Sequence, residues 1–469
     1  RPVPPVVLDP KRQTELILES PYVRMYEVER PDGSTFPLLS GRILGGGSSV
    51  NNLAAVRPLA ADFEAWTAFG GEAWSYEALL PLMRSIESDP DFAGSPIHGT
   101  DGPLHLERPF RFDAPMDPPL KALIEAANSL GLPPCEDMNG PNPYGICSSP
   151  YNSLAGRRLS TAIAWLEPAR SRPNLRVRAD TTVTRLRFDG AGSAVTGVEL
   201  AAPDGSMSVE AGTVVLSAGV YHSPQVLQLS GVGPAAELER LGIPIVRDLP
   251  GVGANYQDHA VAYLTYEGTR ELREDYVIPK VRLMARSAPE RPVPDLHIFM
   301  RPSIRMEGVA PLLPVSIHLL EQRSRGRVRI VSTDPEELPI VDAALLVDPG
   351  DVRAMLDGMA LADRLVRQAP LDEFYGPLLT PAPGTNWEVY VTSTYETYHH
   401  GVGTCRIGPR DDPDAVVDPT LRVDGIPNLL VADASVLPVI PHGNTNLAAI
   451  LVGEVAAREV SATGTRLAV

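Results

Sequence analysis

The chain has 469 residues, 43% of them apolar, enough to fill two or three domains with cores of ordinary size. Asp and Glu outnumber Lys and Arg 58 to 41, and a net charge of −17 repels phosphate backbones and anionic membrane surfaces, so nucleic-acid binding is excluded. No apolar run reaches the roughly 18 residues of a membrane span and no charged start leads into a leader-like apolar run, so a cytoplasmic protein without a membrane span is expected. Cys135, Cys147 and Cys405 are too few and too scattered for a disulfide framework or a zinc site. They read as buried thiols, although Cys135 and Cys147 could pair in an oxidising compartment.

After a Pro-rich opening, residues 42–58 read RILGGGSSVNNLAAVRP. Three glycines thin the backbone, and Ser48, Ser49 and Asn51 add short hydrogen-bonding groups, so the segment can lie against a flat polar ligand; it reads equally as a surface loop. Residues 59–155 look like mixed helices and long loops, with Leu120, Leu123, Ile124, Ala127 and Leu130 at helical spacing ahead of Gly131. Residues 157–169 predict a second short helix and 174–187 the start of a strand pair. Strands 195–200 and 207–215 follow across Pro203-Asp204-Gly205, as a hairpin or three-stranded meander.

Residues 213–233, TVVLSAGVYHSPQVLQLSGVG, read as a buried strand, a tight turn and a helix capped by Ser223 with Pro224 in its first turn. That is the nucleotide side of an open α/β sheet. Beyond the segment 251–259, strands at 261–266, 296–300, 315–320 and 327–331 fit an antiparallel sheet, interrupted by an amphipathic helix at 351–368 that aligns Val352, Leu356, Met359 and Leu365. A buried strand at 429–431 and an apolar helix at 447–458 return the chain to α/β character. No internal repeat is visible.

Two stretches carry chemistry: residues 398–408, YHHGVGTCRIG, and residues 431–454, VADASVLPVIPHGNTNLAAILVGE. A neutral imidazole at His400 can accept an alcohol proton, and the amide of Asn444 can hold the same oxygen without titrating. His399, His442 and His259 compete for the role, and adjacent His399 and His400 make a poor metal pair, so no metal is expected. Asn444 or Thr445 can cap the helix that follows, and the positive end of that helix would stabilise the negative charge of a reduced flavin; plain capping is the commoner use of these residues.

Four motifs in order resemble the glucose–methanol–choline (GMC) oxidoreductase family: LGGGSSVNNLAAVRP from Leu44, LSAGVYHSPQVLQLSGVG from Leu216, HGVGTCRIG from His400, and VVDPTLRVDGIPNLLVADASVLP from Val416 running into NTNLAAILVGE. The resemblance, from about Arg42 onward, implies an α/β FAD-binding (Rossmann-like) domain interleaved with an α+β substrate domain built on an antiparallel sheet. It places the first in residues 1–58, 156–258 and 395–469 and the second in 59–155 and 259–394. By the same resemblance His400 is the catalytic base and Asn444 its partner. Gly46, Gly47, Ser48 and Asn51 pass the flavin and pyrophosphate, Val183 touches adenine, and Ala218 belongs to the cofactor site. Asp433 and Ala434 lie at the ribityl–pyrophosphate end, His399 flanks the ring, and Thr445 and Asn446 complete the set. Some relatives attach FAD through a His where this chain has Val50, so the FAD is expected to be non-covalent.

The family's opening strand, GxGxxG turn and helix are not found. The match at Gly231 to Ala236 has Pro234 where a helix should start and follows a helix, so it is rejected, and the chain is expected to be a trimmed form of a longer protein. The implied function is FAD-dependent oxidation of an alcohol, choline dehydrogenase-like, with oxygen or another carrier as electron acceptor. The alternatives are a hydroxynitrile lyase of the same family or a flavin-free, non-catalytic remnant.

Overall fold

A computed structural model describes residues 3–30, 33–269 and 281–462. In chain order, the elements that position the site begin with a hairpin, β1 (Val23–Glu29) and β2 (Thr35–Gly41), then α1 (Pro118–Ser129), β3 (Pro134–Cys135) and β4 (Gly145–Ser148). A meander follows, β5 (Thr182–Phe188), β6 (Val195–Ala202) and β7 (Gly205–Glu210), then β8 (Val214–Leu216) and α2 (Gly219–Leu229). The strands β9 (Ala260–Gly268), β10 (Val281–Ala285), β11 (Leu296–Met300) and β12 (Leu312–Leu319) precede α3 (Pro349–Val366), β13 (Tyr375–Thr380) and β14 (Glu396–Thr397). The chain returns through β15 (Arg422–Val423), β16 (Ile426–Val431) and α4 (Thr445–Ala462).

One eight-stranded sheet runs β13-β9-β12-β11-β10-β4-β3, with β14 added beside β9; it is antiparallel except for β3 against β4. Cross-strand partners share a face. Ala262 and Ile298 both pair Ile317, Leu264 pairs Val315, and Leu296 pairs Leu319, which makes one face wholly apolar; it belongs to the same core as Met355, Met359, Ala362 and Leu365 of α3. Gly358 lets that helix come close, since a Cβ there would stand 2.9 Å from Cγ2 of Ile317. The opposite face is polar: His297 pairs His318, Phe299 and Tyr263 both pair Ser316, and Arg282 pairs Cys147. Both faces are buried, so these strands lack the solvent-facing alternation that marks a half-buried sheet.

On the other side, β8 runs parallel to β16 (Val214 to Leu429, Leu216 to Val431), and β15 closes antiparallel. A second core holds this sheet against α2 and α4, and it includes Phe63, Trp66, Trp74 and Leu79.

Three expectations shift. No strand includes residues 174–181, and Leu175 and Val177 are exposed; among the described residues nothing pairs with this stretch, and an extended segment without a ladder partner has no sheet to join. In 157–169 the first two residues pair with Ser153 and Leu154 instead, and helical conformation begins only at Ala162, as a π turn through Leu166. Finally, α2 starts at Gly219, not at Ser223, whose hydroxyl donates to Asp433. Pro224 therefore sits inside the helix, where it has no N–H to offer the carbonyl of Val220. Thr404 Oγ1 donates to that carbonyl instead, at 2.7 Å, which lets the helix continue through its proline.

Candidate functional site

Asp258 anchors the site. Its Oδ1 accepts from the backbone N–H groups of His259 and His400, both at 2.8 Å, and its Oδ2 accepts from Tyr256 Oη at 3.0 Å and from Thr397 Oγ1. One buried carboxylate thus ties the start of β9 to the loop that carries His400, and burial pushes it up to about 6. Gly403 in that loop has φ +96°, and a Cβ there would lie 2.3 Å from the carbonyl oxygen of Asn255, so no larger residue fits.

The ring nitrogens fall in series. His259 Nε2 is 3.1 Å from the carbonyl oxygen of Pro441, which can only accept, so Nε2 carries the proton and His259 Nδ1 is bare. His259 Nδ1 then accepts from His400 Nδ1 at 2.9 Å, which leaves His400 Nε2 as the unprotonated nitrogen. Asn444 Nδ2 donates to that nitrogen at 3.0 Å, and Asn444 Oδ1 accepts from Arg282 Nη1 at 2.8 Å, so the orientation of the amide is fixed from both ends. Both imidazoles are neutral: burial lowers His400 well below 6.5, helped by the positive charge of Arg282, and brings His259 to about 3.

The other histidines are separated by the same accounting. His442 is held by Asp62 at 2.5 Å; burial works against its charge, but Asp62 and Glu321 outweigh it and raise the ring to about 10, so it is an ion-pair partner. His399 adopts φ +62°, is exposed, and accepts from Leu39 N at 3.4 Å through Nδ1. His297 and His318, buried on the polar sheet face, continue outward from His400: ring centroids are 4.1 Å apart for Tyr398–His400, 4.0 Å for His318–Tyr398 and 4.6 Å for Phe299–His318.

The remaining positions form two groups and one outlier. Gly46 to Ser49 make a short turn, in which Ser48 Oγ donates to Gly45 O at 2.6 Å and accepts from Thr161 N at 3.0 Å. Asn51 Oδ1 is engaged by Leu53 N and Arg158, and Val50 is buried with Val7 and Leu16. Asp433 accepts from Gly219 N at 2.9 Å and Ser223 Oγ at 2.5 Å through Oδ2 and from Ser435 N at 2.8 Å through Oδ1, while Ala218 N donates to Ser223 Oγ at 3.1 Å. The carbonyl of Ala434 accepts from Gly403 N, which joins this turn to the His400 loop. Thr445 opens α4, and Asn446 in its first turn has a buried Nδ2 without a partner. Val183 stands apart on β5, paired with Leu200 and 36% exposed.

Arg282, Asp258, His297 and His318 escaped the reading of motifs. A signal for two of them exists, because His297 and His318 lie within expected strands at positions whose side chains share a face.

The residues fit a flavin dinucleotide. At Gly46 (φ +51°), Gly47 and Gly219 a Cβ would meet nothing within 4 Å, so bare backbone opens onto free space at the two turns expected to hold it. The unpaired Asn446 amide lies in the first turn of an 18-residue helix, where the backbone offers partial positive charge.

Comparison with known proteins agrees. Two family models described as GMC oxidoreductase match residues 20–261 and 322–453, together more than half of the chain. The oxygen-dependent choline dehydrogenase of Rhizobium etli is 32% identical over 454 residues, covering 90% of this chain and 81% of that protein. The mitochondrial choline dehydrogenase of Homo sapiens is 33% identical, covering 92% and 77%. The crystal structure of pyridoxine 4-oxidase from Mesorbium loti superposes with a TM-score of 0.89 at 28% identity, over 98% of this chain and 92% of that one.

Proposed function

Since the chain belongs to the GMC oxidoreductase family of FAD-dependent oxidoreductases, we propose that it oxidises an alcohol to the aldehyde or ketone with His400 as the base. When bound, FAD supplies a two-electron acceptor for the carbinol hydride. The turn of Gly46, Gly47 and Ser48, the Ala218 and Asp433–Ala434 turns, and Thr445 with Asn446 would hold it; Asn51 and Asp433 act by shaping their loops, since their side-chain oxygens are already engaged. Val50 offers no nucleophile, which supports a non-covalent cofactor.

The observation that carries the proposal is the fixed proton arrangement of His259 and His400. His400 Nε2 carries no proton and is buried, and among the described residues its one partner is Asn444 Nδ2, so a substrate hydroxyl that enters between the two gives its proton to Nε2 and accepts from the Asn444 amide. Arg282 polarises that amide and places positive charge beside the oxygen as it becomes negative. A positioned base of this kind contributes about 10²- to 10⁴-fold. Oxygen or another carrier would then take up the electrons. We also propose that the two cores correspond to a cofactor-binding and a substrate-binding part, the latter built on the eight-stranded sheet.

The test is anaerobic mixing of the flavin-loaded protein with a panel of primary and secondary alcohols, choline among them. Bleaching of the flavin with formation of the carbonyl product is expected for at least one. Cleavage of a cyanohydrin without bleaching, or no bleaching by any alcohol, would refute the reading.

A further inference from the structure

If His400 is the base, the polar sheet face that continues from it is where the rest of the substrate lies, and its chemistry is that of a host for negative charge. Arg282, 3% exposed, keeps Nε without a partner. His297 and His318 are buried with neither ring nitrogen bonded, and the hydroxyl of Tyr398 is likewise unpartnered. These groups form one patch: the Arg282 guanidinium lies 5.5 Å from the centroid of Phe299, that ring stacks on His318, and His318 adjoins Tyr398. More than nine-tenths of buried polar groups in proteins find partners, and leaving one alone is costly, so four on one face mark a place built for a guest.

We infer that this face binds a carboxylate carried by the alcohol substrate. The inference rests on the alcohol-oxidising reading and adds the class of alcohol. The donor count matches: one N–H from Arg282, one from each neutral imidazole and one hydroxyl face a group whose two oxygens offer roughly four acceptor sites. The charge matches too. Arg301 lies 5.6 Å from the same Phe299 centroid, and the positive potential of Arg282 and Arg301 adds to burial in holding His318 well below 6.5. Among the described residues, Asp258 is saturated beneath His400, Asp62 and Glu321 are paired with His442, and Glu396 is exposed on the edge strand β14 beside Tyr263. A quaternary ammonium here would meet Arg282 with no counter-charge, whereas a carboxylate gains a charge-assisted hydrogen bond.

The experiment measures binding of benzoate and of phenyltrimethylammonium to the flavin-loaded protein by calorimetry, together with anaerobic flavin reduction by 4-(hydroxymethyl)benzoate and by benzyl alcohol. Benzoate should bind at least about tenfold more tightly than the ammonium, and the carboxylated alcohol should be favoured over benzyl alcohol in kcat/KM by a similar factor. His318→Phe keeps an aromatic ring and removes the donor, and Arg301→Gln removes charge from outside the reacting centre; each should weaken benzoate, and Arg301→Gln should leave reduction by benzyl alcohol within about threefold. Equal or tighter binding of the ammonium, no binding of benzoate, or unchanged benzoate affinity in both variants would overturn the inference. Benzoate binding that both variants weaken, without reduction by any alcohol, would keep the carboxylate site and reject the alcohol chemistry.

Discussion

Two neutral imidazoles in series have one arrangement of protons once a carbonyl closes the line, and here the carbonyl of Pro441 closes it. In the proposed mechanism His259 acts through His400 as a positioning residue: its bare Nδ1 holds the proton of His400 on Nδ1 and so leaves Nε2 free of it. His259→Phe removes that acceptor, so flavin reduction by alcohol should slow by at least about tenfold, while His259→Gln, which keeps an acceptor, should lose less. Equal loss in both variants, read by stopped-flow reduction with flavin content unchanged, would assign His259 to packing alone. The proposed base and its amide stand out in the sequence because HGVGTCRIG and NTN are local motifs. His259 was weighed there as a rival for the same role, since nothing in a linear text distinguishes a base from the group that orients it.

Elements were legible where their own periodicity decides them and lost where a distant partner does. The helix expected at 351–368 and found at Pro349–Val366 carries its apolar stripe in its own residues. By contrast, the start of α2 depends on Thr404, 184 positions beyond Val220, which takes the carbonyl that Pro224 cannot serve. Thr404→Val preserves shape and leaves that buried carbonyl unpaired, which should lower stability by about 1–3 kcal/mol in urea unfolding. A change below a few tenths of a kcal/mol would mean that the proline is accommodated in another way. Val281–Ala285 was missed because Arg282 breaks its apolar run with a charge that reads as solvent-facing, although the structure buries it.

At the scale of the molecule, the net charge of −17 conceals a compensated ionic cluster. Arg57 pairs Glu87 and Arg108 pairs Asp89, while His98 bridges Glu87 at 2.8 Å and Asp137 at 3.0 Å; with both arginines in place the carboxylates are balanced without a metal ion. Burial works against the charged form of His98, but Asp137 and Glu87 outweigh it and raise the ring to about 9. A folded value above the unfolded 6.5 means that this contribution is fully present below about pH 6.5 and is lost as pH rises through 9. The urea midpoint of the native protein should therefore fall between pH 6 and pH 9.5 by more than that of His98→Gln, and parallel curves would show that His98 is not charged in the folded state. No motif announced this cluster, because its members are brought together from residues 57 to 137 by tertiary structure alone.

The central claim is that His400 Nε2 takes the proton of the alcohol. Its most direct test is anaerobic stopped-flow reduction of flavin-loaded His400→Ala by whichever alcohol reduces the native protein fastest. The account predicts an unchanged oxidised flavin spectrum and a reduction rate lower by about 10²- to 10⁴-fold. Reduction at the native rate in a variant that still holds its flavin would contradict it.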